Sequence, residues 1–169
     1  MSSDRPHTFH WLAGAAFVAL LIASSLVDRG GNDLVRTVGV GVLLLSPFLF
    51  VPPFFLLKKY GGAKDGEPFF DTTVTVDHGL YAIVRHPQYL GYMVLMLGFV
   101  LLSQHVLTVL FGLAGIVFFY LHTVQEDRFC RERLGEEYRE YASDVPSFNI
   151  VVGVIRYLRR RQGSPRKMM

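Results

Sequence analysis

The chain has 169 residues, 51% of them hydrophobic and only 18% charged, with 14 phenylalanines beside a single tryptophan. That charge content lies below the roughly 25% of an ordinary soluble domain and points to a bilayer. The lone cysteine, Cys130, excludes an internal disulfide and a thiolate metal cage, and a net charge of +3 is weak evidence for a nucleic-acid partner, since basic residues in a membrane protein more often mark the cytoplasmic face.

The first apolar run is Phe9 to Val27, with no charge before Asp28. About 20 apolar residues cross a hydrocarbon core of roughly 30 Å, so this run is read as a retained transmembrane helix rather than as the core of a cleaved signal peptide. Asp28-Arg-Gly-Gly-Asn-Asp33 is a polar turn, and a second run, residues 34–57, stops at Lys58-Lys59. Pro47, Pro52 and Pro53 interrupt it and predict a kink. Residues 58–78 form a polar loop. A third span is expected over 81–103, a tight hairpin at Ser103-Gln-His105, and a fourth span over 106–124.

The segment from Gln125 to Tyr141 is rich in charge, but Phe129, Leu134, Tyr138 and Tyr141 recur at helical spacing, which predicts an amphipathic helix that Gly135 divides and Pro146 ends. Ile150 to Leu158 is too short to span and is capped by Arg159-Arg-Arg161, so it is read as an interfacial helix facing anionic headgroups. Residues 125–161 would then form a cytoplasmic cap and 162–169 a disordered tail. The fold class expected is an all-α integral membrane bundle, one domain over 1–169. With four spans and the N-terminus inside, all but Arg29 and Arg36 of the 17 basic residues fall on the cytoplasmic side, the bias of the positive-inside rule, and both termini are cytoplasmic.

Two clusters carry candidate chemistry. Arg85-His86-Pro87 lies at the edge of the third span, with Tyr81, Tyr89 and Tyr92 around it and Gly79 and Gly91 flanking it. An interfacial anchor accounts for the same residues, with arginine snorkelling to headgroups and proline opening a helix. Glu126 and Asp127 are adjacent carboxylates just past the fourth span, and Glu126 stands one helical turn after His122. Carboxylates there accept hydrogen bonds from hydroxyls or pair with a cation. His122 and Glu126, joined by His86 and Asp127, also suit a zinc or iron site, but no paired histidine cluster accompanies them, and no metal is expected. A non-enzymatic membrane scaffold is the remaining alternative.

The order Gly79-x-Tyr81, Arg85-His86-Pro87-x-Tyr89-x-Gly91, a hydrophobic hairpin, an acidic pair, and Leu134-Gly135-x-x-Tyr138-x-x-Tyr141 closing at Pro146 resembles the isoprenylcysteine carboxyl methyltransferase family and its phospholipid methyltransferase-like relatives. The resemblance covers roughly residues 77 to 148. It implies a membrane methyltransferase that uses S-adenosylmethionine at the cytoplasmic interface and methylates a lipophilic acceptor: a prenylated carboxylate, a phospholipid amine or a small thiol. Carried over, Tyr81, His86, Pro87, Tyr89 and Gly91 would line the cofactor pocket with Glu126 and Asp127 as its acidic pair, and Arg85, His86 and Glu126 would serve catalysis. Leu80 stands where the family has proline, and Asp127 where it has a second glutamate.

Overall fold

A computed structural model describes residues 8–28, 30–62 and 72–163. Every regular element in them is helical: α1 (Thr8–Leu26), α2 (Asp33–Tyr60), a short 3-10 turn (Gly79–Ala82), α3 (Pro87–Ser103), α4 (Val106–Arg133), α5 (Gly135–Asp144) and α6 (Ile150–Gly163). Helices α1, α2 and α4 are long and apolar enough to cross a membrane. The chain is therefore the all-α membrane protein its composition indicates. Leu44 and Phe48 of α2 are 68% and 71% exposed. Such apolar surface is a liability in water and matches the solvent when that solvent is lipid.

The boundaries differ from the sequence expectation in three places. The third helix begins at Pro87 rather than at Tyr81, because proline keeps the residue before it out of the α region and itself suits the first helical position. Its 17 residues rise about 25 Å, at the lower end of what a span needs, so α3 is a shorter apolar helix beside the three long ones. The second helix is continuous through Pro47, Pro52 and Pro53 and ends at Tyr60, three residues beyond the expected 57. The fourth continues nine residues beyond 124, since nothing in the sequence stops it before Gly135, whose backbone adopts φ +65°. The expected break at Gly135 is where α5 starts. The tail expected from Gln162 lies, from residue 164 onward, outside the described residues, as does 63–71 of the polar loop.

The chain divides into two compact units, the first made of residues 1–50 and 89–129 and the second of 51–88 and 130–169. In the first unit, Ala13, Leu20, Met96 and Phe119 form the buried core, with Phe17, Tyr92, Phe99 and Phe111 packed against it. Asn32 caps α2 through its side-chain oxygen, which accepts from Val35 N at 3.0 Å. The two loops at the same end are tied together: Gly30 N donates to Ser103 O at 2.8 Å, and Gln104 Nε2 donates to Asn32 O at 2.9 Å. Buried hydroxyls are satisfied locally, Thr123 Oγ1 donating to Phe119 O at 2.7 Å.

Helices in lipid gain little from apolar burial and associate by close packing of small residues. Gly91 is such a residue: a Cβ there would lie 2.8 Å from both the backbone nitrogen and the Cβ of Phe50. Backbone cannot yield as a flexible side chain can, so Gly91→Val should destabilise the first unit by about 1–3 kcal/mol. Gly41, with nothing within 4 Å of its own missing Cβ, provides the contrast. Gly41→Ala should be neutral or stabilising by up to about 1 kcal/mol. Thermal melting in lipid nanodiscs checks both, and equal effects would refute this account of the packing.

In the second unit, α6 is capped by Asn149, whose Oδ1 accepts from Val152 N at 3.0 Å. It packs one side inward and leaves Val151, Ile155 and Leu158 exposed at 69%, 45% and 50%. Arg159 and Arg161 are exposed beside that stripe.

Candidate functional site

The Arg-His-Pro segment is held in the second unit by the chain's C-terminal part. Arg85 N donates to Pro146 O at 2.9 Å and His86 N to Ser147 O at 3.3 Å, so the two extended stretches pair backbone to backbone. The Arg85 guanidinium donates through Nη1 to Ala142 O at 2.6 Å, at the end of α5, and through Nη2 to the Ser147 hydroxyl at 2.5 Å. A cation beside the last carbonyls of a helix also meets the negative end of its dipole. Tyr141 Oη donates to Tyr81 O at 2.7 Å and Arg160 Nη2 to Ala82 O at 2.7 Å. In this way the backbone carbonyls of the 3-10 turn, which no long helix satisfies, are bonded by side chains from α5 and α6.

His86 is 7% exposed and its ring centroid lies 6.1 Å from that of Phe148. Tyr81 is 8% exposed, and Pro87 is fully buried at the start of α3. Beneath the segment, Gly153 of α6 meets Ile83: a Cβ at 153 would collide with the Ile83 carbonyl oxygen and stand 2.9 Å from its carbon. Only a glycine lets α6 lie this close.

The first unit holds a separate polar cluster. The Tyr89 hydroxyl and His122 Nε2 are 3.1 Å apart and share a hydrogen bond. The Tyr89 ring stands edge-on to His122 with centroids 5.2 Å apart, and the His10 ring lies 5.2 Å away at 59°. Glu126 Oε2 is 4.0 Å from the same Nε2, with the Glu126 side chain 22% exposed. The i,i+4 spacing read from the sequence thus puts Glu126 and His122 on one face of α4.

Glu126 Oε2 and the neighbouring Gln125 Oε1 are buried, and neither has a hydrogen-bond partner among the described residues. A buried acceptor left without a donor costs about 1–3 kcal/mol, more when charged. A water or a ligand that supplies a donor relieves that cost. Asp127 is half-buried beside them. Among the described residues no group of three or more His, Cys, Asp or Glu side chains comes together as metal ligands would.

Of the residues singled out from the sequence, the structure brings Tyr89 and Glu126 together through His122 in the first unit. It groups Tyr81, Arg85, His86 and Pro87 with Tyr141, Ser147 and Phe148 in the second. Gly91 is occupied in helix packing against Phe50. Sequence reading missed His10, Gln125, Ser147 and Gly153. Gln125 could have been noticed beside the acidic pair, but nothing in the sequence pairs His10 with His122.

Comparison with known proteins bears on these clusters. Protein-S-isoprenylcysteine O-methyltransferase of Schizosaccharomyces pombe is 38% identical over 73 residues, 43% of this chain and 31% of that protein. The probable protein-S-isoprenylcysteine O-methyltransferase of Oryza sativa subsp. japonica is 38% identical over 73 residues, 43% of this chain and 38% of its own length. Protein-S-isoprenylcysteine O-methyltransferase A of Arabidopsis thaliana is 36% identical over 73 residues, 43% of this chain and 37% of that protein. The alignments span about a third of the length of these curated relatives. No solved structure matches the chain significantly. The sequence profile of the phospholipid methyltransferase family matches residues 35–137, more than half of the chain and inclusive of the Arg-His-Pro motif and the acidic pair. With that extent of match, and with the motif order and helical membrane architecture already described, the chain belongs to the phospholipid methyltransferase family.

Proposed function

We propose that this chain is an S-adenosylmethionine-dependent methyltransferase that methylates a lipophilic acceptor at the cytoplasmic face of a membrane. The observation that carries this reading is the pair of buried, unmatched acceptors, Glu126 Oε2 and Gln125 Oε1. S-adenosylmethionine offers an ammonium, ribose hydroxyls and an exocyclic amine, all donors, together with a sulfonium charge. An acidic, donor-poor cluster fits such a group. The family and the relatives named as O-methyltransferases support the same class of reaction. The arginines of α6 and the lysines that end α2 support a cytoplasmic site with both termini inside.

When bound, S-adenosylmethionine supplies an activated methyl group whose in-line transfer needs no covalent enzyme intermediate. The tasks left to the protein are binding, alignment and exclusion of water. Glu126 and Gln125 would accept hydrogen bonds from the cofactor, and Glu126 would balance part of its positive charge. Tyr89 fixes the His122 ring through the 3.1 Å hydrogen bond, and His122 is the nearest group able to take a proton from an amine or thiol acceptor. Arg85 is a positioning residue in this reading, because its guanidinium donates to Ala142 O and Ser147 Oγ. The motif residues Tyr81, His86 and Pro87 are proposed cofactor contacts on the strength of the family pattern.

Titration of the purified protein in nanodiscs with S-adenosylhomocysteine should give saturable heat, weakened in His86→Ala. Incubation of membranes with methyl-labelled S-adenosylmethionine should move label into an organic-soluble fraction. Absence of both heat and transfer in the wild type would sink the proposal in favour of a membrane scaffold.

A further inference from the structure

The first unit contains a cavity of about 230 Å³ lined by His10, Gly14, Phe17, Tyr92, Met96 and Phe119, with Leu95 completing it. Its walls come from α1, α3 and α4, and they are apolar except at one end. There His10 faces His122, which shares the Tyr89 hydrogen bond, so the apolar space runs up to the polar cluster. An enclosed apolar cavity near 150 Å³ holds benzene, so by proportion the walls of this partly open one cover about nine carbon atoms. Gly14 lies at the exposed edge of the wall, and nothing lies within 4 Å of where its Cβ would be. A larger side chain there fills space without collision.

Building on the methyltransferase reading, we propose that this cavity seats the hydrocarbon part of the acceptor, with the reacting end toward His122, and that Gly14 sets how much hydrocarbon is admitted. The acceptor class is an amphipathic molecule whose buried portion is a single chain or ring system of about nine carbons by the same volume comparison.

Three measurements test this on the full-length protein in nanodiscs. Methyl transfer from labelled S-adenosylmethionine is compared for butanethiol, decanethiol and hexadecanethiol; each turnover forms a methyl alkyl sulfide and S-adenosylhomocysteine and releases the thiol proton. In parallel, a decyl diazirine is photolysed with the protein, with and without excess decanethiol, and labelled peptides are mapped by mass spectrometry. S-adenosylhomocysteine titration is run on every variant. The wild type should prefer decanethiol and be labelled on the α1, α3 and α4 lining in a decanethiol-sensitive way. Gly14→Leu should bind S-adenosylhomocysteine as the wild type does, melt no lower, lose the lining label, and shift preference to butanethiol by about tenfold, which is a change of about 1.4 kcal/mol. Gly41→Leu, in open space elsewhere, should change none of these.

A chain-length profile unmoved by Gly14→Leu would overturn the proposal. So would lining label that decanethiol does not displace, which would mean a resident bilayer lipid. If no thiol is methylated but S-adenosylhomocysteine binds, displacement of the label by decanethiol decides: loss upholds the pocket and persistence overturns it. If S-adenosylhomocysteine fails to bind, the methyltransferase reading falls first and the acceptor assignment with it, whatever the label shows.

Discussion

Replacing Arg85 with alanine should lower the melting midpoint of the protein by roughly 6–12 °C. The guanidinium makes two side-chain bonds across the second unit, to Ala142 O and Ser147 Oγ. Hydrogen bonds to charged groups contribute about 1.5–3 kcal/mol each, so the loss is on the order of 3 kcal/mol, and 1 kcal/mol corresponds to about 2–4 °C for a chain of this size. The α5 carbonyl left behind adds to the cost. Arg85→Lys should recover only part of it, because an ammonium is a point charge and cannot serve two acceptors in a planar fork. Ser147→Ala, removing one partner, should cost about 1 kcal/mol. If Arg85 instead contacts the acceptor directly, Arg85→Ala would keep the wild-type midpoint and lose only kcat/KM. Differential scanning fluorimetry alongside kinetics separates the two roles.

Glu126→Gln should reduce S-adenosylhomocysteine affinity by roughly 10- to 100-fold, the span of one charge-assisted hydrogen bond at about 1.5–3 kcal/mol. Stability should move the other way or not at all. The carboxylate oxygen Oε2 is buried without a hydrogen-bond partner among the described residues, and the His122 ring nitrogen Nε2 lies 4.0 Å away. Removing an uncompensated buried charge relieves desolvation strain in the empty protein. Lower affinity with an equal or higher midpoint is the signature of a residue kept for its ligand. A wild-type titration curve for Glu126→Gln would remove the acidic pair from the site, and a lowered midpoint would make Glu126 structural.

The class of the protein was legible because lipid imposes few choices. Long apolar runs must be helical to satisfy their own backbone, so the run Phe9–Val27 matches α1 to within one residue and the run from Val106 marks the start of α4. Breakers acted where local chemistry is strong: Pro87 opened α3, and Gly135 separated α4 from α5. Local rules misplaced the third helix by six residues, since an apolar pattern does not reveal that Gly79–Ala82 becomes a 3-10 turn bonded by Tyr141 and Arg160. Those partners lie 60 and 78 residues away along the chain.

What the sequence by itself determined was an all-helical membrane chain carrying an Arg-His-Pro motif and an acidic pair, because spacing along a helix and transfer into lipid are properties of nearby residues. The i,i+4 relation of His122 to Glu126 belongs to the same class. Only the tertiary structure decided what those residues touch. It bonds Arg85 to Ala142 O and Ser147 Oγ and packs Gly91 against Phe50. It also brought His10 to His122 and left Gly14 facing open space. Between Tyr81 and Tyr92, the arginine's position is explained by carbonyls and a hydroxyl that only folding supplies. Side-chain partners distant along the chain are fixed by packing, and packing is not written in any one segment.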